Sequence, residues 1–225
     1  MKKFYAAIIL FALALPLFPQ SGAFGTVKGD PVELYNTGRD LESRGRNLEA
    51  DIYYEQAIQI CNSDISQNSA NRNTYTAMTW ALLRLRRYGE VITWGERGLR
   101  IYSDEYRIVE SMGEAYFYLD DYVSSLRFMQ RYANAQPRGD RVSVAYFFMG
   151  EIYRLTGKFL LADIAYSTAV RLSPSNSLWW YRLGVAREYA GEPLSAADAY
   201  ERAVRLNPEY QAASDSLARV RRQSR

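Results

Sequence analysis

Laid against itself at an offset of 34 residues, this sequence repeats. Ser143–Asn176 superposes on Ser177–Tyr210. Tyr146 and the Met149-Gly150 pair fall on Trp180 and Leu183-Gly184, and Gly157 falls on Gly191. Ala162 meets Ala196, Tyr166 meets Tyr200, Ala169 meets Ala203, and Pro174 meets Pro208. Three less regular units precede these two, at 31–64, 72–105 and 106–139, with short insertions at 65–71 and 140–142. Inside a unit the apolar residues recur at helical spacing: Tyr146, Met149, Ile152 and Tyr153, then Leu161, Ile164, Ala165 and Val170. Gly157 lies between the two runs, where glycine tolerates the left-handed backbone of a helix stop. Pro174 and Pro208 follow the second runs, where a helix cannot continue. Each unit therefore reads as two short helices joined by a turn. Such a hairpin is too small to bury its own apolar surface, so neighbours must stack.

This pattern resembles the tetratricopeptide repeat, and the resemblance spans Pro31 to Tyr210. It implies an all-α, right-handed α-solenoid of five helix–turn–helix units. Gly38, Gly113, Gly150 and Gly184 share one repeat position, where a missing side chain lets paired helices approach to about 8–10 Å. Unit two departs most: Thr79 replaces the glycine, Gly95 an aromatic of the second helix, and Gly98 its alanine. Unit three has Tyr132 at that alanine position, and unit five has Arg187 where an aromatic is usual. These departures leave the packing of unit two open. Residues 211–225 fit a capping helix with a basic tail, Leu217 and Val220 facing the last unit and Arg219, Arg221, Arg222 and Arg225 facing water.

In such arrays the fold carries no chemistry and function lies on a surface. The resemblance implies a concave groove lined by the first helices. Its register places Tyr35 and Arg39 there from unit one, and Thr76, Trp80 and Leu83 from unit two. Glu110, Glu114 and Phe117 follow from unit three, Phe147, Glu151 and Arg154 from unit four, and Tyr181, Val185 and Glu188 from unit five. Some family members clamp a chaperone tail's carboxylate with lysines, asparagines and an arginine. The corresponding asparagine positions here read Arg39, Trp80, Glu114, Glu151 and Val185, so that clamp is missing. An aromatic groove with a few carboxylates suits a protein or peptide with apolar anchors and a basic residue. The competing reading puts the same aromatics into contacts between units.

Residues 1–23 read as a secretory signal peptide: Lys2 and Lys3, an apolar run from Phe4 to Phe18, then Ser21-Gly22-Ala23 before the cut. Residues 24–30 form a linker. The expectation is an exported protein, periplasmic or envelope-associated, with no transmembrane segment once processed. Without Lys2 and Lys3 the charge balance is 26 basic to 25 acidic residues, which does not indicate a nucleic-acid partner.

Histidine is absent, which excludes His-activated nucleophiles and histidine metal sites. A lone Cys61 is too little for a zinc or iron–sulfur site and reads as a buried thiol, an intermolecular disulfide being the alternative. No phosphate loop, dinucleotide fingerprint or calcium loop appears, and no cofactor is expected. Glu114 and Glu151 could in principle form the acid and base of a glycosidase, but neighbouring arginines make ion pairing the better reading. Arginine outnumbers lysine 24 to 4, with a cluster at Arg84-x-Arg86-Arg87; it reads either as a patch for an acidic partner or as solvated faces paired with carboxylates. The sequence thus points to a non-enzymatic adaptor or scaffold. The alternatives are a self-associating structural subunit and an accessory protein acting on envelope polymers.

Overall fold

The computed structural model describes residues 29–223, which form eleven α-helices and no strand. The first ten pair as hairpins. These are α1 (Pro31–Ser43) with α2 (Asn47–Ser66), α3 (Arg72–Arg84) with α4 (Tyr88–Ile101), and α5 (Tyr106–Tyr118) with α6 (Tyr122–Ala135). Next come α7 (Val142–Leu155) with α8 (Phe159–Leu172) and α9 (Ser177–Tyr189) with α10 (Pro193–Leu206). A single helix, α11 (Gln211–Gln223), closes the row. The chain is an all-α solenoid. The expected signal peptide, and most of the expected linker, lie outside the described residues.

The turns within the hairpins are built alike. Gly45, Arg86, Asp120, Gly157 and Gly191 occupy one repeat position, and all five have a left-handed backbone, with φ between 58° and 84°. The inter-hairpin insertion at 65–71 is partly helical, since α2 continues through Ser66. Asn71 then starts α3 with a capping box, its side chain accepting from Thr74 N while Thr74 Oγ1 accepts from Asn71 N.

Each regular unit locks its two helices with one device. Tyr54, Tyr166 and Tyr200 are buried in second helices, and their rings lie over the backbone of Gly38, Gly150 and Gly184 in the first. A Cβ on those glycines would come within 2.5–2.6 Å of the ring. Each hydroxyl donates to a carboxylate of the first helix: Tyr54 to Glu42 at 2.9 Å, Tyr200 to Glu188 at 2.7 Å, and Tyr166 to Glu151. Unit two reverses the roles. Thr79 is buried in the first helix, and the space above Gly95 is filled from unit three, with Met112 2.6 Å from where a Cβ would be. Ile108 and Tyr75 close on Gly98 in the same way. The departures read from the sequence are thus compensated across the unit boundary.

Helix α1 touches α3, α3 touches α5 and α5 touches α7, while second helices meet neighbouring units through the first helices. First helices therefore line the inner, concave wall and second helices the outer, convex one. Helix α11 buries Val220 and Ala213 against α10. Its Arg219 and Arg221 are not simply solvated, as they bridge back to Glu188 and Glu201.

Candidate functional site

The concave wall divides into two halves of different character. In the C-terminal half the aromatics expected in the groove are spent on packing. Phe147 stacks flat on Trp179, with centroids 5.0 Å apart and planes at 14°. Tyr181 lies between Tyr200 at 5.7 Å and Tyr210 at 5.1 Å, and Val185 packs in the same cluster. Phe117 meets Phe148 edge-on at 5.0 Å. The Phe147 and Phe117 contacts join neighbouring units and the Tyr181 contacts close unit five on itself, because an aromatic ring at a helix crossing buries a large apolar surface.

The charged residues of this half are also occupied. Glu151 is buried and accepts from Tyr166 and from Arg154 at 2.8 Å, with Arg182 3.1 Å away. Glu188 accepts from Tyr200 and from Arg219, which hold its carboxyl below the usual range, Arg219 having the larger effect.

The N-terminal half is open. A cavity of about 360 Å³ lies across α1, α3 and α5, lined by Tyr35, Arg39, Trp80, Tyr88, Tyr118 and Arg141 among others. A second hollow of about 540 Å³ shares Arg39, Trp80, Glu110 and Arg141 with it. Two stacked aromatic pairs build the walls: Tyr35 on Trp80 at 5.0 Å, and Tyr88 on Tyr118 at 4.8 Å. Tyr35 itself is buried, and Arg107 lies over Trp80 at 5.5 Å. Leu83 is half-buried in the first core cluster but reaches the cavity. Thr76 is buried and donates back to Arg72 O at 3.0 Å.

Cations ring this cavity. Arg39 and Arg86 are exposed, and among the described residues neither is ion-paired. Arg84 stands 3.7 Å from Glu42. On the far side Glu110 and Glu114 are buried one helical turn apart in α5 and share Arg141. Arg141 Nε donates to Glu110 at 2.8 Å, and its Nη2 donates to Glu114. Burial, reinforced by the neighbouring Glu114, pushes the Glu110 carboxyl well above its ordinary value, with Arg141 opposing. Glu114 is therefore tied to Arg141, and Glu151 to Arg154 and Arg182.

Arg86, Tyr88, Tyr118 and Arg141 were not among the residues the repeat register placed in the groove. Arg86 and Tyr88 belong to the turn and the start of the second helix, and Arg141 to the insertion outside the 34-residue period. The one available signal was the cluster Arg84-x-Arg86-Arg87. Cys61 lies apart from the site. It is fully buried, its Sγ donates to Thr74 O at 3.2 Å, and burial pushes the thiol up to about 12.

Residues 143–176 and 177–210 each match a family model described as tetratricopeptide repeat. The chain carries tetratricopeptide repeats. The tetratricopeptide array is similar in fold to several solved structures. One is a MamA RS-1 double mutant, with TM-score 0.63 and 19% identity over 80% of this chain and 96% of that one. Another is MamA from Desulfovibrio magneticus RS-1, with TM-score 0.59 and 20% identity over 81% and 98%. A third is YrrB, described as a TPR protein with an unusual peptide-binding site, with TM-score 0.56 and 18% identity over 83% and 91%. No curated protein matches the sequence.

Proposed function

We propose that this chain is a non-enzymatic docking scaffold that holds a segment of a partner protein on the concave wall of units one to three, outside the cytoplasm. The observation that carries the reading is the pair Arg39 and Arg86, exposed cations beside an open aromatic cavity, neither of them ion-paired among the described residues. Elsewhere on the wall, aromatics and charges satisfy one another. Exposed arginines next to aromatic faces are the residue types that dominate binding hot spots. A segment pairing an acidic side chain with an apolar anchor fits both features, and the YrrB structure, alike in fold, is described as having a peptide-binding site. Export rests on the charged and apolar pattern of residues 2–23.

The test is selection of peptides on the chain from a random display library, followed by measurement on the Arg39→Glu/Arg86→Glu variant. Both positions are exposed, so helicity should be unchanged, and affinity should fall by roughly tenfold or more. Equal binding by both forms, or selection of no peptide, removes the docking reading. A protein recovered from its source still beginning at Met1 removes processing of the N-terminus.

A further inference from the structure

The richness in arginine is not absorbed by the concave site. On each second helix, unit positions 18, 22, 26 and 29 follow one another at spacings of four, four and three, which places them on one helix face. Because second helices form the convex wall, that face points away from the array. In α4 it presents Arg97 and Arg100, in α6 Arg127 and Arg131, and in α10 Arg202 and Arg205. Helix α8 adds Arg171 beside Ile164. None of these seven is ion-paired among the described residues, whereas the arginines of the concave wall and the turns mostly are. The carboxylates nearby do not balance them. Asp163 is held by Arg187 and Glu201 by Arg221, which leaves Asp51, Glu96 and Asp198 against seven cations.

The other half of the same face is aliphatic. Position 18 is Leu48, Val123, Leu160 and Leu194 in four of the five units, and these side chains are 67–84% exposed. Ile52 and Ile164 extend the row at position 22. An isolated exposed leucine needs no explanation, but a row recurring at one repeat position does. Arginines alone would suit any polyanion. Arginines flanked by protruding aliphatic side chains suit a surface that is anionic outside and apolar just beneath, where guanidinium groups pair with phosphates and the aliphatics enter the acyl boundary. Among the described residues no helix is long and apolar enough to cross a membrane, so such contact is peripheral.

We propose that the convex face of the second helices docks on a bilayer rich in anionic phospholipid, leaving the concave cavity turned away from it. The experiment is flotation of the full chain with vesicles of phosphatidylcholine alone and with about 30% phosphatidylglycerol, which supplies the anionic headgroups. The quantity read is the increment in binding that the anionic lipid produces, which discounts any affinity that residues 1–28 have for lipid as such. The increment should fall roughly tenfold or more in Arg97→Gln/Arg100→Gln/Arg127→Gln/Arg131→Gln, and should also fall in Leu160→Asn/Ile164→Asn. All six positions are exposed; should either variant lose helicity, Arg202→Gln/Arg205→Gln reads the same increment. No increment in the native chain overturns the proposal, as does an increment that survives the arginine changes. An increment that ignores Leu160 and Ile164, with equal binding to soluble polyphosphate, assigns the face to a dissolved polyanion and overturns the bilayer.

Discussion

The ring of Tyr166 lies where a side chain on residue 150 would begin: a Cβ at Gly150 would stand 2.5 Å from Tyr166 Cδ1. Gly150→Ala must push the ring, the helix or both, and the tyrosine cannot swing away because its hydroxyl is held by Glu151. The expected cost is about 1–3 kcal/mol, read as a lower urea midpoint at unchanged slope. Gly184→Ala, which meets Tyr200 in the same way, should behave alike, and an unchanged midpoint in both would mean the helices are not so closely apposed.

The left-handed turn position separates units two and three, which place Arg86 and Asp120 there, from the three that place glycine there. Arg86 adopts φ 58° at the place where Gly45, Gly157 and Gly191 stand in other units. A side chain costs about 1–2 kcal/mol in that region, part of which glycine gives back as backbone entropy in the unfolded chain. Arg86→Gly should therefore raise stability by about 0.5–1 kcal/mol while weakening peptide capture in the cavity. Thermal melts and the peptide assay on one sample check both signs.

Two buried or half-buried glutamates should give the array opposite responses to pH. Glu188 is held below its ordinary value by Arg219 and Tyr200, so its contribution is present above the unfolded value of about 4.3 and is lost as pH falls through the folded one. Glu188→Gln should melt lower than the native chain near neutrality and converge with it in acid. Glu110 is raised by burial and by Glu114, so its contribution is complete below about 4.3 and is lost as pH rises through the folded value. Glu110→Gln should match the native chain in acid and melt higher near neutrality. Melting temperatures across the acid range, with the curves crossing in the opposite order, would count against both assignments.

Cys61 should be inert in the folded protein. Its burial and raised pKa leave almost no thiolate near neutrality. A thiol reagent should modify it only in denaturant, and non-reducing electrophoresis should show a monomer band. Rapid labelling of the native chain would mean that the boundary between units one and two opens readily.

The period, the two helices per unit and the curvature were legible because they follow from apolar spacing and punctuating glycines, which tertiary contacts reinforce here. Phe147, Tyr181 and Phe117 could be placed on the inner wall by register, but register does not say whether a ring points into the groove or packs against other rings within or between units. Phe147 faces Trp179 only because unit five supplies a ring at the matching height. Arg141 was illegible for another reason. It enters from an insertion that breaks the period, and its pairing with Glu110 and Glu114 spans about 30 residues of sequence. The same limit hid the rescue of Gly95, since the filling residue, Met112, belongs to a different unit.

That borrowed side chain has a consequence for taking the molecule apart. A break after Glu105 would strip Met112 and Ile108 from the glycines they cover and open a hole in the upstream fragment. A break after Asn176 would strip Trp179 from Phe147 but leave Gly150 covered, because Tyr166 closes over it within its own hairpin. Removing the last hairpin should therefore be tolerated better than severing the rod between the second and third, where the glycines of one hairpin are covered by side chains of the next.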